Sequence, residues 1–189
     1  MSAATATWTP FSFPWDIIVI HGPCTDGIVA GWIVWSKLPA DYRAALATMG
    51  GTYANVPARD AIASQATAPR ASGPSPTSLR GAQALLALGF PVVFVETQPD
   101  EQLPLEMVAG RRVLFCYRGP GANVNDVVAA AAAVRVIDHH SGSESRICDA
   151  ALVATGKYSY LYEPGKQHSG ASLTWQEFNA GLPIPAFVR

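Results

Sequence analysis

Charge is what this sequence most lacks. Only 14% of its 189 residues are Asp, Glu, Lys or Arg, against roughly 25% in ordinary soluble domains. Two readings stand: a surface covered by partners, or a shift of composition towards Ala, Gly and Pro. The formal net charge of −1 provides no basic field for long nucleic acid. Duplex binding is therefore not expected, although a local phosphate pocket remains compatible with it. Cysteine is scarce and odd in number. Cys24, Cys116 and Cys148 have the spacing of neither a disulfide framework nor a zinc ribbon, which points to an intracellular, reducing compartment. No run approaches the roughly 18 apolar residues of a membrane span. Met1 to Trp15 lacks the basic start and apolar stretch of a secretory signal. It is uncharged and holds Pro10 and Pro14, so we expect an ordered or partner-bound arm.

What is present suits one α/β domain over 1–189, with an arm over 1–15 and an inserted segment over about 44–78. Within that insertion, Ala63 to Thr77 is rich in Ala, Pro and Ser and includes Pro69, Pro74 and Pro76, the composition of a loop or a partner-wrapping segment. Elsewhere short β-branched runs alternate with helical stretches. Strands are expected at Asp16–Ile20, Val92–Val95, Arg112–Tyr117, Val134–Ile137 and Tyr158–Tyr162. Helices are expected at Ile28–Leu38, Leu79–Gly89, Asn125–Ala133 and Gly170–Asn179, with a short turn or helix at Pro104–Ala109. Thr25 or Asp26 can cap the first of these helices and Ser169 the last. Strands alternating with helices imply a mostly parallel sheet with helices on both faces.

Two strand ends carry polar clusters. After the first strand come His21 and Asp26, within His21-Gly22-Pro23-Cys24-Thr25-Asp26-Gly27. After the fourth come Asp138, His139 and His140. In a parallel sheet both emerge at the same edge, where open α/β sheets bind ligands. Carboxylate and imidazole together suit divalent metals such as Mn²⁺, and two such ions can clamp a phosphoryl group and activate water. The plain alternative is that His21 is a loop residue. Adjacent imidazoles at a strand end are harder to explain by packing alone.

These pieces, in this order, resemble the DHH phosphoesterase family. One branch of it writes its first motif as His-Gly-x-Cys-x-Asp-Gly, which His21 to Gly27 matches. The family triad corresponds to Asp138-His139-His140, after the strand Val134–Ile137. Ser169-Gly170-Ala171-Ser172-Leu173-Thr174-Trp175 is similar to the branch's Ser-Gly-Ala helix, and Leu182 to Arg189 resembles the branch's segment beyond that helix. The resemblance covers about Ile17 to Arg189, apart from the insertion. It implies the N-terminal, metal-binding domain of that fold and hydrolysis of a small phosphodiester, short oligonucleotide or nucleotide. By position His21, Asp26, Asp138 and His139 would ligate one or two Mn²⁺ ions. His140 would contact substrate phosphate or support the metal ligands.

Three departures qualify that implication. Cys24 stands where many relatives have the first Asp of an acidic pair, although some members of this branch carry Cys there. Cys116 stands where the family has a strand-terminal Asp, which would favour Zn²⁺ or leave the residue an inert core thiol. The family's last ligand Asp lies beyond the Pro-x-Pro segment, past Arg189, and the second, capping domain is absent. Weak or no activity is therefore expected. The alternatives are a non-catalytic structural or interaction subunit of a larger assembly without a catalytic metal, and an enzyme completed by another chain. Asp138→Ala is expected to change metal uptake with little effect on stability.

Overall fold

The computed structural model describes residues 9–22, 24–48, 77–98, 101–165 and 167–188. Its strands are β1 (Ile17–His21), β2 (Val93–Thr97), β3 (Arg112–Cys116), β4 (Ala133–Asp138) and β5 (Tyr158–Tyr162). They pair in the order β2-β1-β3-β4-β5, every pair parallel. The helices are α1 (Thr25–Trp35), α2 (Ala40–Thr48), α3 (Leu79–Ala87), α4 (Leu105–Val108), α5 (Val124–Ala130), α6 (Glu144–Ile147), α7 (Ala150–Ala154) and α8 (Gly170–Phe178).

The expected α/β class is observed, and the unbroken apolar runs explain it. Ile17, Ile18, Val19 and Ile20 are each 0% exposed. Successive strand residues point to opposite faces, so both faces of β1 are covered, as parallel sheets require. On one face Trp35 of α1 meets Phe94 edge-on at 5.9 Å. On the same face α8 pairs Glu177 with Arg135 at 2.8 Å. On the other face Val127 of α5 lies with Val19 and Phe115.

Several boundaries differ from expectation for physical reasons. Helix α1 starts at Thr25, and Cys24 is its cap residue, without a side-chain cap bond. Helix α2 includes residues 44–48, the start of the segment read as loop. Pro39 and Asp41 are the start signal that marks it, and Tyr42 anchors it by donating to the Val92 carbonyl at 2.5 Å. The rest of the insertion, 49–76, and residues 1–8 of the arm lie outside the described residues. The described part of the arm packs on the chain itself, with Phe11 against Tyr42 at 4.8 Å and Phe13 buried. Strand β3 ends at Cys116, because Tyr117 takes φ 67°, a left-handed conformation that aromatic residues rarely adopt. Helix α5 stops at Ala130, and Ala133 already belongs to β4.

The two edges of the sheet are unlike. The outer side of β2 is occupied: the Glu96 amide donates to the Thr77 carbonyl at 2.6 Å, and α3 packs beside it. Among the described residues no strand pairs with the outer side of β5.

Candidate functional site

Strands β1 and β4 flank β3, so His21 and Asp138 come out at one edge of the sheet with Tyr117 between them. The ring centre of Tyr117 is 5.8 Å from His21, 5.3 Å from His139 and 4.8 Å from His140. His139 and His140 are 4.8 Å apart. Four rings from three strand ends thus form one cluster. Close approach of glycines makes this possible. A Cβ on Gly27 would stand 2.1 Å from the His21 carbonyl oxygen, and one on Gly170 would stand 2.0 Å from the Tyr117 ring. Neither neighbour leaves room for a side chain.

Asp138 is wholly buried and fully engaged. Its Oδ1 accepts from the His139 amide at 2.7 Å, the His140 amide at 3.2 Å and His140 Nδ1 at 2.6 Å. Its Oδ2 accepts from the Gly119 amide at 3.0 Å. This carboxylate builds the turn on which both histidines sit and ties it to the loop after β3. The expectation that Asp138 is dispensable for stability is at odds with this role, since removing it leaves four donors without their acceptor.

Asp26 is brought to the same edge but joined to something else. Its two oxygens accept from the Gly170 and Ala171 amides, each at 2.9 Å. It therefore caps α8 from across the molecule, where the helix dipole favours an anion, rather than capping α1. Ser169 supplies the expected local cap, accepting from the Ser172 amide at 3.1 Å.

Two residues that the sequence reading passed over complete the picture. Tyr117 fills the middle of the ring cluster. Arg118 is buried and donates to Thr97 Oγ1 at 2.7 Å, to the Gln98 carbonyl, to the Glu101 carbonyl at 3.3 Å and to the Gly119 carbonyl at 3.2 Å. It fastens the loops after β2 and β3 together. The Tyr-Arg-Gly-Pro run after a strand was the available signal, but nothing local shows which way its side chains turn.

Two rings of the cluster are shifted towards their neutral forms. Burial lowers the pKa of His21, and the charges of Arg118 and His140 lower it further, against an opposing pull from Asp138. Burial raises the Tyr117 hydroxyl, helped by its hydrogen bond with Cys24. The Cys116 thiol, 0% exposed, is pushed up by burial well beyond the usual thiol range. It is a core residue, not a thiolate.

Do these groups fit two metal ions? Unused donors exist: His21 Nδ1 and both ring nitrogens of His139 are buried without a hydrogen-bond partner among the described residues. The carboxylates, however, are engaged by main-chain donors, and Tyr117 stands between His21 and the β4 histidines. No group of three His, Cys, Asp or Glu among the described residues is arranged to hold a metal. As arranged, the set does not fit a dinuclear centre.

The cavity of about 180 Å³ bounded by Phe11, Phe13, Asp16 and Arg112 lies at the amino ends of β1 and β3. It is at the opposite end of the sheet from these side chains and carries none of them. Among the described residues no helix is long and apolar enough to cross a membrane. No known family model, curated protein or solved structure matches the chain.

Proposed function

We propose that this chain is a DHH-phosphoesterase-like domain whose metal-ligand positions now do structural work, and that it serves as a non-catalytic subunit binding protein partners. The observation that carries this is the engagement of Asp26 and Asp138 by six donors, five of them main-chain amides. A bridging carboxylate must give its lone pairs to cations, whereas these hold together the turn after β4 and the start of α8. The low charge content agrees with a surface made for contact rather than for solvent.

A second reading keeps the phosphoesterase chemistry in weakened form, acting on a small phosphate ester or short oligonucleotide. It is favoured by the unpartnered nitrogens of His21 and His139, since a buried imidazole without a partner is costly unless something else satisfies it. In that case Asp138 would orient His140, and His140 would face the phosphate.

One assay separates the two readings. The purified chain is offered a dinucleotide, a generic phosphodiester and pyrophosphate, each with Mn²⁺, with Zn²⁺ and with chelator. The proposal expects no turnover above the chelator baseline. Metal-dependent turnover that disappears in His139→Gln would overturn it in favour of the enzyme. His139 is the better control residue, because Asp138→Ala confounds activity with folding.

A further inference from the structure

We propose that the open edge of β5 pairs with β5 of a second copy, antiparallel and centred on Tyr160, giving a weak two-fold dimer with a continuous ten-stranded sheet.

The backbone register points outward at the right positions. The Val134 amide donates to the Lys157 carbonyl, and the Glu163 amide donates to the Asp138 carbonyl. In a parallel pair only alternate residues face a given neighbour. Lys157, Ser159, Leu161 and Glu163 therefore turn their amides and carbonyls towards β4. Tyr158, Tyr160 and Tyr162 turn theirs to the outside, where among the described residues no strand meets them.

A two-fold axis through Tyr160 matches these groups to themselves. Tyr160 meets Tyr160 of the second copy, and Tyr158 meets Tyr162. Each is a pair of the kind in which opposed residues exchange both hydrogen bonds. The three outward-facing residues of each chain are all used, and none is left over. Shifting the axis by one residue would pair only two of the three outward-facing tyrosines of each copy and would take Lys157 away from Glu163.

The same axis sets the charges. Lys157 of one copy falls opposite Glu163 of the other, at both ends of the seam. Opposite charges directly across a strand pair are stabilising and like charges are not. Between them Tyr158-Ser-Tyr-Leu-Tyr162 carries no charge and no proline, the residues that usually guard an edge. The side chains of Tyr158, Tyr160 and Tyr162 share one face, with Tyr158 and Tyr160 ring centres 6.3 Å apart. Pairing would line up six tyrosines across the seam. Within one copy Lys157 Nζ reaches the Ala129 carbonyl at 3.3 Å, and Glu163 has His168 at 3.5 Å. Both contacts are long and lie at the surface, so both charged ends can exchange them for each other. The contrast with β2, whose outer side Thr77 and α3 cover, leaves β5 as the edge able to do this. A five-residue seam falls in the small-interface class, so the dimer is concentration-dependent.

The test is sedimentation of the whole chain from low-micromolar to near-millimolar loading, with charge variants at the seam. The parent is expected to shift from monomer to dimer. Lys157→Glu and Glu163→Lys, each alone, turn two attractive contacts into repulsive ones and are expected to weaken dimerisation about tenfold. The combined exchange restores opposite charges and should return it to within about twofold of the parent. Tyr160→Pro removes an outward amide without touching the β4 ladder and should abolish the dimer while the monomer stays folded. A parent that is monomeric at every loading overturns the pairing, whatever other chain the edge accepts. Single reversals that leave the dimer unchanged overturn it too, since Lys157 and Glu163 would then be guards of an edge and nothing more.

Discussion

The turn after β1 and the turn after β4 deliver the same chemistry, a carboxylate with imidazole, to the same edge of the sheet. They spend it differently. Asp138 works locally: three of its four donors come from the next two residues, and the fourth from the loop after β3. Asp26 works at a distance, reaching amides 144 and 145 residues later in the chain. One carboxylate builds its own turn and the other closes the domain by capping its last helix. A strand-end acid can therefore organise backbone close by or far along the chain.

Breaking the local hub should cost most. Asp138→Ala removes a wholly buried carboxylate and leaves the Gly119, His139 and His140 amides short of their acceptor. It is expected to destabilise the fold by about 3–5 kcal/mol, read as a lower urea midpoint with an unchanged slope. A loss under about 1 kcal/mol would erase the distinction between the two turns.

The long-range cap should matter less. Asp26→Ala is expected to cost about 1–2 kcal/mol, because only two main-chain bonds are lost and Ser169 still caps α8. Hydrogen exchange sharpens the comparison. Faster exchange should appear at Gly170 and Ala171 in Asp26→Ala, and at Gly119 and His139 in Asp138→Ala. The same exchange pattern in both variants would mean that the two turns form one unit.

The smallest effect concerns acid. The pKa of His21 is lowered from its ordinary 6.5, so below that value the unfolded chain binds a proton that the folded one resists. Stability then rises with pH and falls as pH drops through 6.5 towards the depressed folded value. His21→Gln should flatten that part of the pH–stability curve. An unchanged slope would move the acid sensitivity to another group.

Much of the fold could be read directly. Ile17 to Ile20 are apolar without alternation, and only a strand buried on both faces accepts such a run. Ser169 ahead of Gly170 announces the start of α8. Helix α2 was legible too, in Pro39 and Asp41, but its alanines resemble the low-complexity stretch next to it. The site was legible as a gathering and not as a mechanism. His21, Asp138, His139 and His140 do share one edge, because parallel strands place their carboxyl ends together.

By itself the sequence determined that the chain alternates strands with helices, that its polar clusters share one sheet edge, and which glycines those turns contain. Apolar periodicity and strand direction are local properties, and they carry that much. Only the tertiary structure decided that Asp26 caps α8, that Tyr117 turns left-handed into the centre of three histidines, and that Cys116 lies sealed in the core. The physical reason is the same in each case. The donor that claims a carboxylate, or the neighbour that shuts out water, is contributed by a segment far along the chain, and no local pattern encodes its arrival.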